Sequence, residues 1–166
     1  MIKGIRHVAL LSVIICSGAV AKDDVVCDTI LQSKENSLFI TDVEVKGPRG
    51  SLRFPAIIDT GASSTLIPAS IMEGIGYSSQ GKRKISTTGG KNSFDKGTVS
   101  SLSFLGIIFK NVVVYVDKPK SRILCGSIPG CDNLYDETGI IGMSELSQTS
   151  FEYIDGVMII CSNGKQ

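Results

Sequence analysis

Histidine is nearly missing from this chain: the one copy among 166 residues is His7, inside an N-terminal stretch that reads as an export signal. A chain cleaved after that stretch keeps no imidazole. This excludes a Ser-His-Asp triad and a Cys-His pair, and it removes the usual ligand of catalytic zinc. No charge of one sign dominates: 17 basic residues stand against 16 acidic ones, which leaves no electrostatic footprint for nucleic acid. Gly-x-Ser-x-Gly, a Walker A loop and Gly-x-Gly-x-x-Gly are absent, and Gly89-Gly90-Lys91 is too short for a phosphate loop. There is no internal repeat and no low-complexity segment. Carboxylate chemistry is what these absences leave.

The leader has the parts of a secretory signal. Lys3 and Arg6 supply a basic start, Val8 to Ile15 an apolar core too short to span a bilayer, and Ala19-Val20-Ala21 a small-residue cleavage site. A lipoprotein signal around Cys16 competes with this reading, although Ile15 stands where a small residue is normally wanted. An uncleaved anchor is the other alternative. The expected organisation is a signal peptide over 1–21, an N-terminal extension over 22–36 and one domain over 37–166, exported to a periplasm or secreted. Cleavage leaves 145 residues, enough for a single core, and removing Lys3 and Arg6 leaves 15 basic residues against 16 acidic.

Of five cysteines, Cys27, Cys125, Cys131 and Cys161 survive that cleavage. An even number in an oxidising compartment points to disulfides, and the spacing is not that of a zinc or redox site. Gly126, Pro129 and Gly130 are turn formers that can bring Cys125 to Cys131. Cys27 and Cys161 are then left to each other, within one chain or across two.

The stretch to explain is Ala56-Ile57-Ile58-Asp59-Thr60-Gly61-Ala62, a carboxylate at the end of an apolar strand. Burying a carboxylate is unfavourable by several kcal/mol unless it is paired, hydrogen-bonded or protonated, so Asp59 has two readings. It is either a chemical group or the first residue of an Asx turn that bonds an amide two residues on. Around it, Ser37 to Val45 and Leu52 to Ile58 read as two strands joined at Lys46-Gly47-Pro48-Arg49-Gly50. Pro68 can start a helix over Ala69 to Glu73, stopped by Gly74 and Gly76. Lys82-Arg83-Lys84, set between glycines, reads as a solvated loop. Short strands follow at Val99 to Phe104, Ile107 to Phe109 and Val112 to Val116, with turns at Leu105-Gly106 and Lys110-Asn111. Ser144 to Ser147 reads as one helical turn, and Asp155-Gly156 joins a last hairpin. Lys22 to Glu35 reads as either a short helix or a leading strand and has no clear place. So many short strands argue for an all-β barrel or sandwich.

Asp59-Thr60-Gly61-Ala62 in an apolar run resembles the active-site loop of aspartic peptidases in their single-lobe, retropepsin-like form. Gly139-Ile140-Ile141-Gly142-Met143-Ser144 is similar to the second motif of that family, which packs against the loop. The resemblance runs from about Ser37 to Ile160. It implies an all-β, closed β-barrel with one or two short helices, and an aspartic endopeptidase with Asp59 as catalytic residue. Thr60, Gly61 and Ala62 would complete the active-site loop, Ile140, Ile141 and Gly142 support it, and Thr88, Gly89 and Gly90 form the tip of a flap over the substrate.

Because the sequence has one Asp-Thr-Gly, the resemblance further implies a homodimer with one Asp59 from each chain, acting on an extended peptide or protein. It implies no metal or cofactor. Nucleic acid is not an expected partner, and no membrane span is expected after signal cleavage. Retroviral members carry acidic residues after the alanine and an arginine after the second glycine. Here Ser63, Ser64 and Met143 stand instead, so dimer contacts must differ. A non-catalytic exported binding or assembly module with the same fold is the alternative. Were a second carboxylate to be sought within one chain, Asp95, Asp117 and Asp136 would be the first to mutate.

Overall fold

Strand alternation and left-handed turns account for most of the architecture. The computed structural model describes residues 25–33, 37–87, 90–118 and 137–163. Strands β2 (Ile40–Gly47) and β3 (Gly50–Ile58) form the expected hairpin, with Gly47 opposite Gly50. Pro55 is tolerated in β3 because the strand on its other side pairs only with Ala56 to Ile58, so no ladder bond needs the missing N–H. Strand β4 (Leu66–Pro68) leads into helix α1 (Ala69–Gly74), which begins after Pro68 as expected.

Strands β5 (Lys82–Thr87), β6 (Gly90–Phe104) and β7 (Ile107–Asp117) follow as a meander. Strand β8 (Gly139–Ile141) then precedes helix α2 (Met143–Leu146), one residue earlier than the expected turn, and β9 (Thr149–Ile154) and β10 (Val157–Ser162) close the chain.

The order β2-β3-β8-β4-β7-β6, with β2 also paired to β6, closes a six-stranded barrel; β5 hangs on the outer edge of β6. This is the all-β closed barrel with two short helices that the resemblance implied. Alternate residues such as Val43 and Val45, or Val114 and Val116, turn inward and are almost fully buried. Each aliphatic side chain so buried stabilises the fold by about 1.5 to 3 kcal/mol.

Two expectations need correction. Ile107 to Phe109 and Val112 to Val116 are one strand, because Asn111 adopts φ 53° without breaking the register: Val99 faces Val112 and Ser101 faces Lys110. Asparagine tolerates that region, so the ladder with β6 overrides the local turn signal. Second, Lys82-Arg83-Lys84 lies on β5 rather than in a loop, paired to Asp95, Phe94 and Ser93. Of the two readings of segment 22–35, the leading strand holds for Cys27–Leu31: it is strand β1, paired to β10 in a separate three-stranded sheet β1-β10-β9. The two-residue connections at Leu105-Gly106 and Asp155-Gly156 are as expected, all four residues having positive φ, as tight hairpins require.

Cys27 stands directly opposite Cys161, and the two are disulfide-bonded within one chain across a separation of 134 residues. The Cys125–Cys131 pairing lies outside the described residues. Replacing both Cys27 and Cys161 by serine is expected to lower stability by about 2 to 4 kcal/mol, since the bond closes most of the chain into a loop. Urea midpoints measure this. A double variant as stable as the parent would show that β1 is held by its strand pairing alone.

Candidate active site

Asp59 is positioned by two strands at once. Strand β3 delivers it, and its N–H donates to Ile141 O at 3.0 Å, tying it to the neighbouring parallel strand β8. Asp59 Oδ1 accepts the Gly61 N–H at 2.8 Å and Asp59 O accepts the Ala62 N–H at 3.2 Å, so the Asx-turn reading is realised in the backbone. Asp59 as a residue is half-buried, while Thr60 and Gly61 are exposed. Asp59 is therefore at the tip of a loop that faces outward, not sealed in the core.

The base of this loop is clamped. Met143 N–H donates to Ala62 O at 2.8 Å, and Gly142 N–H donates to Thr65 Oγ1 at 3.1 Å. A Cβ on Gly142 would come within 2.5 Å of Ser64 O and 2.9 Å of Ala62 O, so this crossing admits only glycine. Thr65 N–H donates to Ser144 Oγ at 3.2 Å, and the hydroxyls of Thr65 and Ser144 both donate to Glu145 Oε2, the latter at 2.6 Å. Ile140 pairs with both Ile57 and Leu66, wedging β8 between β3 and β4.

Glu145 is 2 % exposed. Burial pushes its carboxyl group above the usual glutamate range, and the hydroxyl bonds from Ser144 and Thr65 oppose that shift without cancelling it. Sequence reasoning did not single out Thr65 or Glu145. The one local signal was an acidic residue one position before the buried Leu146 on a one-turn helix. The base of the loop is thus braced by a hydroxyl–carboxyl cluster of Thr65, Ser144 and Glu145.

A second apolar cluster lies beside the loop. Leu66, Phe94, Tyr115 and Ile140 are buried together, with Ala62 and Ile85 packed against them. Strand pairing places Arg83 opposite Phe94 and Thr87 opposite Gly90. Of the residues expected at the flap tip, Thr88 and Gly89 lie outside the described residues, and Gly90 opens β6 with φ 110°.

The acids that might supply a second carboxylate are placed differently. Asp95 is bonded to Lys118 Nζ at 2.6 Å, and that ammonium holds its carboxyl group below the usual aspartate range. Asp117 ends β7 opposite Pro68, and Asp136 lies outside the described residues. Among the described residues, no three His, Cys, Asp or Glu side chains gather as a metal site, and no helix is long and apolar enough to cross a membrane.

A family model described as aspartyl protease matches residues 41–144. No curated protein matches the chain. Among solved structures, the chain is similar to a retropepsin-like aspartic protease from Rickettsia conorii, with a TM-score of 0.58 and 18 % identity over 84 % of this chain and 93 % of that one. At that identity the likeness is one of fold. It is also similar to the foamy viral protease-reverse transcriptase solved in complex with an RNA/DNA hybrid, at a TM-score of 0.45 and 18 % identity, over 71 % of this chain and 13 % of that one.

Proposed function

Since the chain belongs to the aspartyl protease family, we propose that it is an exported aspartic endopeptidase whose active site forms between two Asp59 carboxylates of a homodimer. One observation carries this reading: Asp59 sits on a loop clamped at its base yet exposed at Thr60 and Gly61, a geometry suited to completion by a second copy. Two carboxylates held together share one proton, because both cannot ionise easily. The ionised Asp59 takes a proton from water as the water oxygen attacks the peptide carbonyl carbon. The protonated Asp59 of the other chain donates to the carbonyl oxygen. Collapse of the tetrahedral adduct breaks the C–N bond as a proton reaches the leaving nitrogen. In this reading the Thr60 hydroxyls bond across the dimer axis, Gly61 permits the close approach, and the β5–β6 hairpin lies over the bound peptide with Thr88, Gly89 and Gly90 at its tip.

The intrachain disulfide and the leader support export. The half-buried Asp59, already satisfied by an Asx-turn bond, favours the second reading, a binding module without turnover.

Subunit mixing decides between a shared site, one site per chain and none. Co-refolding equal amounts of wild type and Asp59→Asn gives random pairing. A shared site that needs both aspartates leaves about one quarter of the all-wild-type activity, against about one half if each chain acts alone. Activity per wild-type chain that does not change with mixing ratio rules out the shared site, and inactivity of wild type itself favours the module.

A further inference from the structure

The basic run on β5 is divided by strand alternation. Arg83 faces Phe94, on the same side of the sheet as Ile85, while Lys82 faces Asp95 on the other side. Arg83 Nη1 donates to Tyr115 Oη at 3.0 Å. Tyr115 is 3 % exposed and belongs to the buried apolar cluster against which Ala62 packs, and the Ala62 N–H is bonded to Asp59 O.

The hydrogen-bond inventory of this pair is one-sided. A phenol that accepts from arginine keeps its own O–H to donate, and a guanidinium has five N–H donors, of which Tyr115 takes one. Among the described residues, no acceptor receives the Tyr115 O–H and no carboxylate pairs with Arg83. Lys96, opposite Tyr115 in the register, adds a half-buried cation on the same face. Arg83, Tyr115 and Lys96 thus share one face beside the buried cluster that packs on Ala62, with Asp117 two residues beyond Tyr115 on the same strand. An ionised carboxylate satisfies both groups at once, by charge-assisted bonds from Arg83 and Tyr115. A lysine side chain placed there would be repelled.

We propose that Arg83 and Tyr115 form a carboxylate-recognising pair, which makes peptides carrying glutamate or aspartate next to a bulky apolar residue the preferred substrates. The proposal rests on the endopeptidase reading for its meaning as substrate preference. Its chemistry is that of binding and is testable without turnover.

The probes are fluorescein-labelled synthetic peptides with a Leu-Phe-Phe-Leu centre and Ser-Gly flanks, with Glu, Gln or Lys moved through each flanking position. The pH is kept above about 5 so that peptide glutamate is ionised. Wild type is expected to show kcat/KM about tenfold higher for Glu than for Lys at one position. The ratio should fall towards one in Arg83→Gln, invert in Arg83→Glu, and shrink without inverting in Tyr115→Phe. No position that favours Glu over Gln, or the same ratios in wild type and Arg83→Glu, would overturn the pair. If wild type cuts no peptide, the endopeptidase reading has failed, and fluorescence anisotropy with the same peptides decides the pair by itself. Tighter binding of the Glu peptide that inverts in Arg83→Glu supports it; equal binding or none overturns it.

Discussion

Replacing Asp59 with asparagine is expected to abolish peptide hydrolysis, lowering turnover by at least about 10² to 10⁴-fold, while the fold stays intact. Asparagine has nearly the same shape, and its Oδ1 can still accept the Gly61 N–H that the aspartate accepts at 2.8 Å. The loop base is held by Gly142, Met143 and Thr65, none of which bonds to the Asp59 side chain. What asparagine lacks is the ability to take or release a proton, the one capacity the proposed reaction demands of this position. Cleavage of a denatured protein substrate, followed beside circular dichroism and a thermal melt, separates loss of chemistry from loss of fold. Cleavage by the variant at the wild-type rate would end the aspartic-peptidase reading.

Truncating Glu145 to alanine is expected to destabilise the chain by about 3 to 5 kcal/mol, because it opens a cavity and strands two hydroxyls, Thr65 and Ser144, that now donate to its carboxyl group. Glu145→Gln keeps the volume and one carbonyl acceptor, so its effect should be much smaller. The two variants also differ in pH response. Burial raises the Glu145 carboxyl above the ordinary glutamate value of 4.5, so the folded chain holds this proton to higher pH than the unfolded chain does. Stability from this residue is therefore complete below the ordinary value and is lost as pH rises through the raised folded value. Urea midpoints across that interval should fall with pH in wild type relative to Glu145→Gln. Parallel curves for the two proteins would mean that Glu145 keeps no proton on folding.

Thr65 and Glu145 show why part of the site could not be read in advance. They are 80 residues apart in sequence, and their bond exists because β8 inserts between β3 and β4 and carries α2 to the loop. A periodicity argument places each residue on its own element and says nothing of which elements become neighbours. Asn111 is the converse case: its local turn signal was real, since its φ is 53°, but a continuous ladder with β6 carried the strand through it.

The sequence by itself determined the chemistry available and the local geometry around it. The lone histidine, the single Asp-Thr-Gly, the Ile-Ile-Gly motif and the turn residues at Gly47 to Gly50 and Asp155-Gly156 depend on residue identity and near neighbours, which are legible along the chain. Tertiary structure alone decided that β2 pairs with β6 to close the barrel and that β1 joins β10 so that Cys27 meets Cys161 within one chain. It also decided that Lys82 and Arg83 face opposite sides of a sheet, one towards Asp95 and the other towards Phe94 and Tyr115. The physical reason is that pairing between distant strands is selected by burial and hydrogen bonding summed over the whole barrel, quantities that no short window of sequence contains.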